Sequence, residues 1–386
     1  MQMFIPRQLD LMKATAHKSC FLFGPRQTGK SMLIRETVPK GTPTYQLLDY
    51  RIWMDLSADP TRMRQEIEAK NLHNKLVVVD EIQKLPVLLD EIQLLIETRK
   101  LRFLLTGSSA RKLRRSGVNL LGGRARSLYL HPFSWKELGS RFDLLTALDR
   151  GLLPSVYFSD DASEDLRSYV GTYLKEEISA EGLTRNIPAF ARFLEVAAAC
   201  SGQMFNKTAV ASDAQVPRAT VIEYFEILKD TLTGYELPAW NRSRKRKAIE
   251  TAKFYLFDVG VTRALRKSPP LAEKSADFGD AFEHFLFHEL KTYIDTRQPG
   301  CDLRYWRSTS QFEVDFILAD HTAVEVKATR NVSPRDLRGL EALAEEKLMK
   351  HLVLVCQEAT PRKIGAILVL PWQEFLERLW SDAFVG

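Results

Sequence analysis

Cysteine is scarce: Cys20, Cys200, Cys301 and Cys356 are the only four in 386 residues, and none belongs to a CxxC pair. That spacing excludes a zinc knuckle and a disulfide framework, leaving buried free thiols as the expectation. Long apolar runs are also missing. No stretch approaches the roughly 18 residues that a membrane-spanning helix needs. No apolar signal-peptide core follows Met1-Gln2-Met3-Phe4-Ile5-Pro6-Arg7, so the expected location is cytoplasmic. With 45% hydrophobic and 27% charged residues, the composition excludes a disordered, collagenous or mucin-like chain. The length suits two or three domains of roughly 100–200 residues, each with its own core.

Charge is unevenly placed. Residues 1–184 carry a net +5, residues 185–267 a net +6 and residues 268–386 a net −5. A short, basic middle between a near-neutral front and an acidic tail predicts three pieces, 1–184, 185–267 and 268–386, with the middle one suited to a polyanion.

In the first piece, Lys18 to Phe23 reads as a buried strand. It runs into Gly24-Pro25-Arg26-Gln27-Thr28-Gly29-Lys30-Ser31 and then the helical Met32-Leu33-Ile34-Arg35. This is G-x-x-x-x-G-K-S with a strand before it and a helix after it, a phosphate-binding loop in its expected setting. Gly24 and Gly29 allow close backbone approach to phosphate oxygens, and the new helix offers amides and the positive end of its dipole. Lys30 is placed to reach the β- and γ-phosphates of ATP, and Ser31 to ligate magnesium. A second acid-bearing strand, Lys75 to Val79, ends in Asp80-Glu81. Asp80 would hold magnesium through water and Glu81 would polarise the attacking water. Alternatively the two acids cap the segment Ile82 to Leu85. Leu101 to Leu105 ends in Thr106-Gly107-Ser108-Ser109, hydroxyls that either sense the γ-phosphate or make a turn. With Thr44 to Leu48 and Ser127 to Leu130, these strands predict a parallel α/β nucleotide domain.

The succession GPRQTGKS, VVVDEIQ, LLTGSS and GGRARSLYLHPFSWKEL resembles a family of bacterial and archaeal AAA-type ATPases whose carboxyl-terminal domain is catalogued only as being of unknown function. The resemblance spans nearly the whole chain. It implies a ring, expected to be hexameric, in which an arginine of one subunit completes the next subunit's site. Arg124 or Arg126 would be that arginine, and Thr106 or Ser108 the polar sensor. Both arginines facing solvent or nucleic acid is the alternative. The basic run Arg111-Lys112-Leu113-Arg114-Arg115 would line a pore, touch DNA, or form a solvated helical face.

In the middle piece, Phe190, Phe193, Leu194, Val196 and Ala197 form a helical stripe. Asn206 to Asp213 and Arg218 to Lys229 follow as a helix-turn-helix, with Pro217 at the second helix's start. Strands at Gly234 to Trp240 and Lys253 to Leu256 enclose a tip carrying Arg242, Arg244, Lys245, Arg246 and Lys247. The pattern predicts a winged helix. Its charged tip, with Arg218, would contact DNA phosphates, giving affinity without base reading. Such a domain also serves as a protein-binding module or a lid extension.

In the acidic tail, a helix from Phe278 to Leu290 precedes a strand at Arg304 to Arg307 and a hairpin formed by Glu313 to Leu318 and Ala323 to Lys327. Asp315 followed by Glu325-x-Lys327 resembles the D…E-x-K core of restriction-endonuclease-like, PD-(D/E)XK domains, with Glu283 as the added helical carboxylate. That resemblance implies a magnesium site in which Lys327 activates water, while alternating charge on a strand also arises by surface placement alone. His284 and His288 lie on one helical face but lack the glutamate of a zinc-peptidase helix. The expected fold is α/β throughout: a parallel P-loop AAA+ domain, a winged helix and a nuclease-like domain. The expected function is ATP hydrolysis coupled to remodelling of DNA, with branched or junction DNA favoured. A nucleotide-gated magnesium-dependent nuclease in defence or repair, and a signalling ATPase that binds protein partners, are the alternatives.

Overall fold

A computed structural model describes residues 4–107, 121–173, 186–273 and 275–385. The chain divides into two compact units, one of residues 1–131 with 230–232, the other of 132–229 with 233–386. No helix among the described residues is long and apolar enough to cross a membrane.

The first unit is built on five parallel strands: β1 (Ser19–Phe23), β2 (Thr44–Gln46), β3 (Leu76–Asp80), β4 (Arg102–Gly107) and β5 (Ala125–Tyr129), in the order β2-β3-β4-β1-β5. The central strands are apolar on both sides because both faces are covered. In β1, Phe21 and Phe23 point into one core with Val77, Val79, Phe103 and Ile92. Cys20 and Leu22 point into the other with Val78, Leu104 and Leu33. This two-residue alternation turns a single five-residue strand into a wall of two cores. Each fully buried side chain of this kind contributes about 1.5–3 kcal/mol. β5, at the sheet's edge, is only partly buried, which its sequence ARSLY already reflects.

The second unit begins with helices expected to extend the ATPase domain. They pack instead on the middle segment. Asp258 caps the helix Val259–Leu265 by accepting from Val261 N–H (3.0 Å), and its other oxygen accepts from Leu152 N–H (2.7 Å). A Cβ on Gly151 would lie 2.1 Å from Asp258 Oδ1, and one on Gly260 would lie 2.0 Å from the Arg150 carbonyl. Two glycines thus let the end of the helix Leu144–Arg150 abut Val259–Leu265. The compact division falls at 131/132.

The middle segment holds helices Ile187–Ala199, Lys207–Ala214 and Arg218–Asp230 beside an antiparallel sheet of β6 (Gln203–Met204), β7 (Gly234–Leu237) and β8 (Lys253–Leu256), ordered β6-β8-β7. The apolar stripe on its first helix is the core: Phe190 and Phe193 meet Tyr224 and Phe225, and Phe225 meets Phe254. The carboxyl-terminal segment forms a mixed six-stranded sheet from β9 (Leu303–Arg307), β10 (Glu313–Leu318), β11 (Thr322–Val326), β12 (His351–Cys356), β13 (Arg362–Ile364) and β14 (Ile367–Pro371). Their order is β13-β14-β12-β11-β10-β9. β12 to β14 were not anticipated from sequence; β12 runs parallel to β11 and is buried from Leu352 to Cys356. All four cysteines are free thiols, Cys20 and Cys356 buried and Cys200 and Cys301 half-buried.

Helix Ala276–Arg297 carries Glu289, fully buried, which accepts from Trp135 N–H (2.6 Å) and Trp380 Nε1–H (3.2 Å). Burial pushes this carboxyl up to about 8, against the pull of those two donors. A carboxyl raised in the folded state favours the protonated form. The resulting stability is complete below about pH 4.5 and is lost as pH rises through about 8. Glu289→Gln removes this titration. Thermal denaturation across that range should show a shallower decline in the variant than in the parent protein.

Candidate functional site

The phosphate loop leaves β1 where Leu130 N–H binds the Phe23 carbonyl (2.8 Å). Gly24 is obligatory there, since a Cβ would stand 2.3 Å from the Leu130 carbonyl. The Lys30 ammonium folds back inside the loop and donates to the carbonyls of Gly24 (2.6 Å) and Pro25 (3.0 Å). Thr28 Oγ1 donates to the same Pro25 carbonyl at 2.7 Å. Gln27 and Gly29 take left-handed backbone angles, φ 57° and 92°. Gly29 then caps the helix Lys30–Thr37, whose first turn carries the exposed Ser31. Arg7, which sequence reading missed, braces this turn: its guanidinium donates to the carbonyls of Thr28 (2.8 Å) and His131 (2.6 Å). No sequence signal links a residue 21 positions upstream to the loop.

Strand order brings the acid strand to that loop. β4 lies between β1 and β3, in register with both, so the carboxyl ends of all three strands converge. Asp80 closes β3 and is buried, and Ser31 Oγ donates to its Oδ2 at 3.4 Å. Thr106, on β4, donates its hydroxyl to Asp80 Oδ1 and accepts from Glu81 N–H (2.9 Å). Glu81 itself is left-handed (φ 62°), and its carboxylate accepts from the Gln83 amide. Gly107 leaves room for Gln83, whose Oε1 would be 2.8 Å from a Cβ there. Glu81 is also the N-cap residue of the following turn, Ile82–Lys84, with its carbonyl accepting from Lys84 N–H (2.9 Å) and no side-chain cap bond. An accessible hydroxyl and an oriented carboxylate at a helix amino end fit a hydrated divalent cation bridging to phosphate.

The proposed finger arginines lie elsewhere. Arg124 pairs with Glu97 (2.8 Å) and directly precedes β5, whose Ala125 is in register with Ser19 at the start of β1. A five-residue strand, about 16 Å long, therefore separates it from the loop at the other end of β1. Arg126 is exposed on the same edge strand. Neither completes its own chain's site. Ser108 and the basic run 111–115 lie outside the described residues.

In the carboxyl-terminal segment the structure brings Glu283, Asp315, Glu325 and Lys327 together and adds residues that sequence reading missed. Glu313 and Asp315 share one face of β10, two residues apart. Lys253, from β8, sends its buried ammonium among them: 3.2 Å from Glu283, 2.7 Å from Glu313 and 3.7 Å from Asp315. Tyr255 OH donates to Glu283 at 2.6 Å. Lys327 pairs with Glu325 at 2.6 Å, and Asp315 Oδ2 accepts from Val326 N–H at 2.8 Å. Burial, then the neighbouring Glu283, pushes Asp315 up to about 6, against the pull of Lys253 and Lys327. Burial opposes charge on Lys253, yet Glu283, Tyr255, Asp315 and Glu313 together hold it well above the usual lysine range. Among the described residues no group of three or more His, Cys, Asp or Glu side chains is placed to hold a metal ion. With the Lys253 ammonium among them, these carboxylates do not fit a metal as they stand. His284 and His288 bond the carbonyls of Leu256 (2.6 Å) and Phe133 (2.9 Å), which places both in packing roles.

The basic tip does not project as a free hairpin. Residues 238–249 run along β9: Trp240 N–H binds the Tyr305 carbonyl (2.6 Å) and Ile249 N–H the Arg307 carbonyl (2.8 Å). They cover an edge strand that would otherwise present unpaired backbone groups. Arg242 pairs with Asp320 and Arg246 with Glu345, both at 2.9 Å. The N–H groups of Arg244 (2.7 Å), Lys245 (3.0 Å) and Arg246 (3.1 Å) converge on Glu346. The side chains of Arg244, Lys245 and Lys247 remain exposed, as does Arg218 at the start of its helix, which also turns Glu223 outward.

Residues 16–139 match an AAA domain family, 141–272 a domain of unknown function (DUF8612), and 278–375 a second domain of unknown function (DUF4143). The chain is thus similar to an AAA domain in its amino-terminal third and to a DUF4143 domain toward its carboxyl end. Uncharacterized proteins of Mycobacterium bovis and Mycobacterium tuberculosis are each 26% identical over 302 residues, 76% of this chain and 66% of their own length. The chain therefore spans just under two thirds of these relatives. An uncharacterized protein of Haemophilus influenzae is 21% identical over 300 residues, covering 69% of this chain and 72% of its own. Among solved structures, the Aeropyrum pernix ORC1 protein in complex with DNA is similar at 13% identity and a TM-score of 0.32, covering 70% of this chain and 94% of that one. The Bacillus subtilis clamp loader delta protein is similar at 15% identity and a TM-score of 0.23, covering 55% and 84%. A signal transduction ATPase with numerous domains from Pyrococcus horikoshii is similar at 11% identity and a TM-score of 0.26, covering 78% and 48%.

Thr106 is the hinge of the nucleotide-side cluster, and its hydroxyl serves Asp80 and Glu81 at once. Thr106→Val should destabilise the first unit by about 1–3 kcal/mol, because a buried acceptor and a backbone donor lose their shared partner. Thr106→Ser should recover most of that loss in urea denaturation.

Proposed function

We propose that the protein binds and hydrolyses ATP with magnesium and couples the cycle to remodelling of DNA, gripped by its backbone and with branched or junction forms favoured. The observation that carries this reading is the meeting of Ser31, Asp80 and Thr106 beside the Gly29-capped helix. Magnesium, when bound, supplies charge neutralisation on the β- and γ-phosphate oxygens. The chain's own parts divide the remaining work. Residues Gly24 to Ser31 cradle the triphosphate with backbone amides. Lys30 exchanges its two loop carbonyls for phosphate oxygens. Ser31 and Asp80 hold the cation's shell, and Glu81, tied by Gln83, orients the attacking water. Thr106 ties the metal-side acid to the base-side backbone, so a change at one is felt at the other.

Arg124 or Arg126 would serve a neighbouring subunit, because Arg124 precedes β5 and Arg126 pairs in register with Cys20, both toward the end of β1 away from the loop. A ring, most simply a hexamer, follows from that requirement. The middle segment has the element order of a winged helix, and it carries a net +6 over residues 185–267. Arg218, Arg244, Lys245 and Lys247 supply exposed cations, while Glu223 on the second helix disfavours base-edge reading there.

Phosphate release by the full chain should vanish in Lys30→Ala. It should fall by at least about 100-fold in Glu81→Gln, with nucleotide still bound. Unchanged turnover in Lys30→Ala would overturn the assignment. On the DNA side, replacing Arg244, Lys245 and Lys247 with alanine should weaken binding to a four-way junction. The slope of log affinity against log salt should flatten by roughly 2–3. An unchanged slope in anisotropy titrations would remove these side chains from the interface.

A further inference from the structure

We infer that the acidic centre of the carboxyl-terminal domain is a cation site already filled from within the chain: the Lys253 ammonium occupies the position a divalent metal would take, and the centre admits a metal only once that ammonium is removed. This is independent of the nucleotide site and bears on the restriction-endonuclease-like resemblance, whose metal the carboxylates do not fit as they stand.

Three observations converge. First, the ammonium is surrounded by acids. It lies within 4 Å of three carboxylates, Glu283 from a helix and Glu313 and Asp315 from a strand, and its side chain is only 5% exposed. Lysine suits this place as a compact point charge, with nitrogen-to-oxygen distances longer than the metal-to-oxygen distances of about 2.0–2.6 Å. Second, the surroundings fix the lysine in place. Tyr255, on the same face of β8, anchors Glu283, while the Val326 amide anchors one oxygen of Asp315. Third, the centre still has unused acceptor capacity. Glu325 pairs with Lys327 through Oε1, but its Oε2 is buried and unpartnered. Four carboxylates face two ammoniums, Lys253 and Lys327, with the Arg307 guanidinium on the outer oxygen of Glu313 at 2.9 Å. Taking one cation away leaves an anionic hollow that must take up either protons or another cation.

The origin of the lysine gives the arrangement its meaning. Lys253 belongs to β8, the strand shared with the middle segment's sheet, whereas all four carboxylates belong to the tail. The buried pair therefore clamps the two segments together and masks the hydrolytic centre that the D…E-x-K pattern suggests. In this state the domain neither takes metal nor cuts a phosphodiester.

The test uses the full chain and Mn²⁺ as the probe, followed by paramagnetic resonance of free Mn²⁺ without nucleotide. Asp315→Asn in the parent protein should leave Mn²⁺ uptake unchanged. Lys253→Met should gain about one Mn²⁺ per chain, and Lys253→Met with Asp315→Asn should lose it again. If Lys253→Met is too unstable to purify, Lys253→Met with Glu313→Gln removes one charge of each sign. It should then show a Mn²⁺-dependent rise in melting temperature that the parent lacks. Uptake in the parent that depends on Asp315, or no gain of metal in either lysine variant, would overturn the inference. So would Mn²⁺-dependent cutting of plasmid DNA by the parent that Asp315→Asn abolishes.

Discussion

One carboxylate organises the amino-terminal unit. Asp80 closes a buried strand, where a carboxyl group conflicts with its apolar surroundings unless it finds partners. The Thr106 hydroxyl resolves that conflict from one side and Ser31 approaches from the other. Both partners depend on β4 lying between β1 and β3. With only β4 between them in a parallel sheet, the acid and the phosphate loop share the same carboxyl edge. The two cores above and below the sheet hold that order, and each is fed by alternate residues of the same short strands.

The two buried lysines show how one side chain serves opposite ends. Lys30 donates to loop carbonyls, partners carrying partial charges that a phosphate can displace. Lys253 is held by full carboxylates, and the desolvated pairs around it resist exchange. The first set of bonds is the weaker hold and the second the stronger. A similar contrast appears in the basic stretch 242–247, where Glu346 already takes three backbone donors. Burial alone would raise Glu346, but the amides of Lys245, Arg244 and Arg246 hold it below the usual carboxylate range.

What the sequence could reveal follows the range of each interaction. The phosphate loop was legible because its constraints are local: two glycines with special backbone demands, a lysine and a hydroxyl within eight residues. Asp80 was legible because a continuous apolar run ending in acids has few other uses. Thr106 could be placed at the site, but its double duty toward Asp80 and Glu81 could not, since that depends on strand register. Arg7 and Lys253 were invisible because each gains its role only from a partner distant in sequence, Arg7 from Thr28 and His131 and Lys253 from Glu283 and Glu313. The run Arg242 to Lys247 was read as a free basic tip because charge density does not reveal which backbone groups are engaged. β12 and β14 were overlooked because short apolar runs lack a distinctive period.

The most direct measurement of the central claim is equilibrium binding of a fluorescent, non-hydrolysable ATP analogue to the purified full chain, titrated with magnesium present and again with EDTA. Saturable binding that tightens with magnesium, and loses that dependence in Asp80→Asn, is the predicted result. Absence of saturable binding in either buffer, or binding indifferent to both magnesium and Asp80, would contradict the account.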